Sequence, residues 1–163
     1  MNEINKLTPE IRNIIAKYNL IPHPEGGFYK EVYRSGQVVL SNQINENRNS
    51  VTHIYFLLCK GQFSRFHSVL HDEIWNFYEG DPLKLIEFDG KHIEENVIGK
   101  ENGVYVSIVK GGVFQAAETT GEYSLVGCSV APGFDFKDFS FLDDKSDMHN
   151  TLLNEFPNFL RLK

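Results

Sequence analysis

The stretch G-Q-F-S-R-F-H-S-V-L-H-D-E-I-W-N-F-Y-E-G, Gly61 to Gly80, carries His67, His71 and Glu73 within seven residues. Its flanks are rich in aromatic and β-branched residues, which suit a pleated, half-buried surface, and a glycine stands at each end. Side chains of one strand converge only at even spacing. Glu73, Trp75 and Phe77 therefore share a face, and a carboxylate buried beside two aromatics has a raised pKa unless a cation or a donor compensates. His67 and Arg65 have the same parity, but a turn among residues 67–72 interrupts the count. Imidazole and carboxylate are also ligands for zinc, iron and manganese, so the stretch points either to a metal or to proton transfer.

Outward from this stretch the chain reads as β. Strand-like runs occupy 28–35, 51–59, 63–66, 73–78, 83–88, 94–98, 104–109, 113–117 and 123–130, and glycine-bearing turns such as Asp89-Gly90, Asn102-Gly103 and Gly111-Gly112 separate many of them. Short strands at regular spacing predict a sandwich or barrel. Before them, Thr8-Pro9-Glu10 is a helix start, and Ile11, Ile14, Ile15 and Tyr18 follow at helical spacing to about Asn19. Leu20 to Gly27, with two prolines and two glycines, excludes a helix. Asn42–Ser50 reads as a polar surface loop. Phe134, Phe136, Phe139 and Phe141 read as packing on the barrel's outer face or in a subunit interface. Met148, Leu152, Leu153 and Phe156 predict a short terminal helix over 146–156. We expect one domain over 1–163, with its barrel core at about 28–141.

The 163 residues carry a net charge of −6 and a pI near 5.5, without a basic block. That argues against nucleic-acid binding, whose affinity comes largely from phosphate neutralisation. No run approaches the ~20 apolar residues of a membrane span, and Met1–Lys6 is polar. Cys59 and Cys128 lack metal or redox spacing and read as buried free thiols. We therefore expect a cytoplasmic protein without a membrane partner.

Gly61-x5-His67 followed by Glu73-x6-Gly80 resembles the first cupin motif, G-x5-H-x-H-x3–4-E-x6-G. A degraded second motif lies at Val109–Gln115. With His23-Pro24-Glu25-Gly26-Gly27-Phe28-Tyr29, Asp72-Glu73-Ile74-Trp75, Gly80-Asp81-Pro82-Leu83 and Val126–Phe134, the chain is similar to the HPEGG-containing branch of the cupins, a domain of unknown function. The resemblance implies an all-β double-stranded β-helix (jelly roll) with short N- and C-terminal helices, and a homodimer that exchanges strands. Its nearest functional analogies are sugar-nucleotide epimerases and phosphosugar isomerases.

The resemblance also implies metal ligands at His67, Glu73 and Gln115. However, the second histidine of H-x-H is Val69, and Gln115 stands where the last histidine would be. His71 is the one candidate substitute. We therefore expect a weak or absent site for a divalent metal (Zn, Fe, Mn or Ni). Two readings compete. In one, a sugar or sugar phosphate is isomerised or epimerised by His67 and Glu73 as an acid/base pair. In the other, a small-molecule binding protein keeps a degenerate metal site without catalysis. His23, Glu25, Arg65, Trp75, Phe77 and Gln115 are the expected ligand contacts in both. His23 and Glu25 also carry a bland reading, as part of a turn that only sets the fold. A third reading makes the chain an oligomeric interaction module.

Overall fold

The structure, a computed structural model, describes residues 7–142 and 146–163, so the polar start Met1–Lys6 lies outside it. Helix α1, Pro9–Tyr18, opens as expected. Thr8 Oγ1 accepts the Ile11 N–H at 3.3 Å, and Asn19 closes the helix in the left-handed region. The strands are β1 (Ile21–Pro22), β2 (Phe28–Arg34), β3 (Val38–Ser41), β4 (Glu46–Asn49), β5 (Thr52–Cys59), β6 (Phe63–Val69), β7 (Asp72–Gly80), β8 (Leu83–Phe88), β9 (Ile93–Ile98), β10 (Val106–Val109), β11 (Phe114–Thr119), β12 (Tyr123–Ala131) and β13 (Phe139–Phe141). A terminal helix α2, Asp147–Glu155, is capped by Ser146.

A six-stranded antiparallel sheet in the order β1-β2-β5-β12-β7-β10 faces a five-stranded one in the order β13-β6-β11-β8-β9. Their inner faces enclose Phe56, Leu58, Trp75, Phe77, Leu83, Leu85 and Val126. This is the double-stranded β-helix. Helix α1 covers part of the six-stranded sheet's outer face, setting Ile11, Ile14 and Ile15 on Leu57, Cys59 and Leu125. Helix α2 covers the other sheet, with Leu152 against Phe66, Ile86 and Phe88.

Two expectations need correction. Asn42–Ser50 is not simply a loop, because Glu46–Asn49 pairs with Val38–Ser41 in a hairpin. Arg48 clamps that hairpin to Asp138 through a bidentate pair at 2.7 and 2.8 Å. The strand expected to stop at Phe66 runs on to Val69, because its ladder with β11 continues to Ser68. The turn at Leu70–His71 is therefore tight, and β7 returns at once across the barrel.

Candidate functional site

A cavity of about 280 Å³ opens at one end of the barrel, with His23, Glu25, His67 and Glu73 among its walls. Three elements bring these groups together. His67 sits on β6 directly opposite Gln115 of β11. Glu73 comes from β7 on the facing sheet, on the side of Trp75 and Phe77, in accord with strand parity. His23 and Glu25 come from the loop before β2.

That loop is held tightly. His23 N–H donates to Gly27 O (3.0 Å) and Gly26 N–H to His23 O (3.1 Å), while Arg65 N–H donates to Glu25 O (2.8 Å). Gly26 has φ +115°, and a Cβ there would collide with the Phe63 carbonyl of β6. Only glycine lets the loop lie this close to the sheet, and this places the Glu25 side chain inside. The glycines therefore set the turn and carry the carboxyl into the cavity at once.

The hydrogen bonds fix most protons. His67 Nδ1 lies 2.7 Å from Arg65 O, and a carbonyl only accepts, so Nδ1 carries hydrogen; burial disfavours the imidazolium, which leaves Nε2 a lone pair. Glu25 N–H donates to His23 Nδ1 at 3.3 Å, which likewise makes that nitrogen an acceptor. Glu25 Oε2 lies 3.2 Å from His67 Nε2 and 3.4 Å from His23 Nδ1. An oxygen facing two nitrogen lone pairs must carry the proton, so Glu25 is a neutral acid. The pKa directions agree. Burial raises Glu25 to about 8, against a downward pull from the Ser64 hydroxyl, which donates at 2.8 Å. Burial lowers His67, opposed by the charge of Glu73, and burial lowers His23 to about 4. The close His67–Glu25 contact is thus a neutral hydrogen bond rather than an ion pair. Burial lifts Glu73 to about 7, partly offset by His67, Gln115 and the Cys128 thiol.

Gln115 is oriented from behind. Trp75 Nε1–H donates to Gln115 Oε1 at 2.9 Å. Since indole N–H is only a donor, the amide NH2 must point the other way. There it donates to Glu73 Oε2 in a short bond and lies 3.3 Å from His67 Nε2.

The implied metal does not fit these residues. Val69 offers no ligand atom, and at Gln115 an N–H donor faces the position where a cation would sit. Among the described residues, no three His, Cys, Asp or Glu side chains are grouped to hold a metal.

The other expected contacts fall elsewhere. Trp75 acts through Gln115. Phe77 lies deeper, in the core between the sheets. Arg65 stays outside, donating to Pro24 O at 3.0 Å with its guanidinium over the Phe141 ring. His71 faces the β3–β4 hairpin, 2.7 Å from Ser41 Oγ, because the tight turn after β6 reverses its direction. It is not placed to substitute as a ligand. Phe134, Phe136 and Phe139 wall the cavity rather than pack on the barrel's outer face, with Phe136 still 52% exposed. Phe139 stacks on His67 at 5.2 Å between ring centroids. Their aromatic density was the one signal in the sequence, and it did not say which way they face. Cys128, read as a buried free thiol, is one, and it lines the same cavity.

A pair of facing antiparallel sheets with a polar cluster inside one open end is the cupin architecture. The chain belongs to the branch of that superfamily described as DUF985, whose family model matches residues 12–142. A hypothetical protein from Leishmania major is similar at 31% identity and a TM-score of 0.80, covering 91% of this chain and 95% of that one. Protein SO0799 from Shewanella oneidensis is similar at 30% identity and 0.74, covering 90% and 89%. The uncharacterized protein YML079W of Saccharomyces cerevisiae is 28% identical over 85% of this chain and 78% of its own length.

Proposed function

We propose that the cavity binds one small, uncharged sugar-like carbonyl compound and isomerises or epimerises it by proton transfer, with His67 as base and Glu73 as its partner. The observation that carries this is the buried His67 Nε2 set 3.2 Å from Glu25 Oε2, with Nδ1 held on Arg65 O. A base and an acid 3.2 Å apart can serve the two ends of one H–C–C=O unit. Nε2 takes the proton from the carbon next to the carbonyl, and Glu25 gives its proton to the carbonyl oxygen. The enediol that forms collapses by the reverse transfers, to the neighbouring carbon or to the opposite face. Glu73, once ionised above about pH 7, steadies the imidazolium by its charge, and Arg65 O holds the ring through Nδ1–H.

The walls favour a neutral substrate over a sugar phosphate. Arg34, the Lys or Arg among the described lining residues, already donates to both oxygens of Glu31, to Asn49 and to Phe134 O. Phe134, Phe136 and Phe139 offer ring faces for C–H groups, and the volume is at the small end for ligand cavities. A second reading, binding without turnover, is favoured by the mutual satisfaction of Glu25, His67, Gln115 and Glu73 before any ligand arrives.

The test is a panel of neutral aldoses and ketoses in D2O, followed by NMR for deuterium entering next to the carbonyl. We expect exchange with the wild type and a loss of roughly 100-fold or more in a folded His67→Ala protein. Thermal stabilisation by a sugar without exchange would select the binding reading, and neither response would remove both. We also propose that the protein works as a homodimer, supported by the family resemblance and by an uncovered apolar sheet face.

A further inference from the structure

The buried network around Gln115 holds a consequence for metals that stands whether or not the cavity turns over a substrate. Trp75, Gln115 and His67 are each at most 2% exposed, and Glu73 is 7% exposed. Gln115 belongs to the five-stranded sheet and Trp75 to the six-stranded one, so their 2.9 Å bond spans the barrel interior. The indole has one polar atom, a donor, and among the described residues Gln115 Oε1 receives it. Turning the amide over would leave that buried N–H facing an NH2 group, a donor against a donor. The carboxamide is therefore locked with its NH2 toward Glu73 Oε2 and His67 Nε2.

Those two atoms are a carboxylate oxygen and an imidazole lone pair, the donor types that divalent cations take. Each already receives, or closely faces, an N–H of the same amide nitrogen. We propose that the Gln115 amide nitrogen is a fixed replacement for a divalent cation, and that its orientation by Trp75 makes the cavity exclude such ions. Gln115 is in this sense a positioning residue, with Trp75 setting its sense.

A single atom separates exclusion from binding. Gln115→Glu keeps the size and keeps an oxygen for Trp75 Nε1–H, but places a second oxygen where the NH2 stood. The introduced carboxylate, Glu73 and His67 would then form a ligand set with two carboxylates and an imidazole. Metal-stripped wild type, Q115E and the Q115E/H67A double variant are titrated with ZnCl2 and with MnCl2 by calorimetry, alongside His67→Ala alone. Melting temperature is recorded with and without each ion.

We expect no His67-dependent binding by the wild type. Q115E should take up one equivalent, roughly 100-fold more tightly than any wild-type binding, since even outer partners of a metal site shift affinity on that scale. The ion should raise the melting temperature of Q115E and not that of the wild type, and H67A should abolish both gains. The inference is overturned if the wild type binds one equivalent that is lost in His67→Ala. It is equally overturned if folded Q115E binds no better than the wild type. Should Q115E fail to fold even with the ions present, the wild-type and His67→Ala titrations decide alone. Turnover in the sugar panel enters none of these outcomes.

Discussion

Glu25 is a residue whose chemistry its surroundings change strongly. A carboxyl that would ionise near 4.5 is held neutral to about 8, and Glu73 to about 7, both chiefly by burial. Between these values and 4.5 the folded protein keeps protons that the unfolded chain has released. Their contribution to stability is therefore complete below pH 4.5 and is lost as pH rises through 7 and 8. His23 and His67, both lowered by burial, act in the opposite sense, but only below about pH 6.5. The window from pH 6.5 to 8 isolates the carboxyls. Melting temperature should fall across it in the wild type, and Glu25→Gln should flatten the fall; an unchanged slope in that variant would place the titration elsewhere. At this scale the sequence was readable where parity holds. Glu73, Trp75 and Phe77 do share a face. It was unreadable where a partner comes from another sheet: nothing in Val109–Gln115 says which way an amide turns, because Trp75 decides that from across the barrel.

The loop 22–28 shows how an element can be legible in shape and illegible in purpose. Its prolines and glycines announced an irregular turn, and Gly26 and Gly27 do take positive φ. That the turn drives a carboxyl inward follows only from the contact of Gly26 with β6. Gly26→Ala adds left-handed strain and a clash with the Phe63 carbonyl, and should cost roughly 2–4 kcal/mol in urea unfolding. Gly61→Ala is the control. Its φ is +78°, but a Cβ there meets nothing within 4 Å, so only the conformational part, about 1–2 kcal/mol, should appear. Equal losses in the two would refute the packing role. The β3–β4 hairpin escaped the sequence reading for a different reason. Glu46–Asn49 is wholly polar and lacks apolar alternation, so pairing with Val38–Ser41 and the Arg48–Asp138 clamp, not burial, make it a strand.

For the whole molecule, the strand pattern foretold a closed β architecture but not how far its outer faces are covered. Val104–Val109 is apolar at both parities, which suits a strand buried on both sides. Yet β10 is the edge of the six-stranded sheet, and Val106 and Ile108 point outward at 49% and 52% exposure. Ile108 pairs with Ile74 of β7, and Tyr78 extends the same face. Helix α1 shields only the far part of this sheet. An apolar face ending in an open edge strand invites association, and a second copy of the chain, as the resemblance implies, would cover it. Across a two-fold axis each substitution counts twice. Ile108→Asp, losing one well-packed contact per subunit at about 2 kcal/mol each, should weaken the dimer by roughly 1000-fold. Sedimentation at micromolar concentration should therefore show a dimeric wild type and a monomeric variant with the same circular dichroism. Lys110→Ala, at an exposed surface pair with Asp72, should leave the dimer intact. A monomeric wild type, or an Ile108→Asp protein that still sediments as a dimer, would mean that this face is not the seam and that its apolar residues stand in water uncovered.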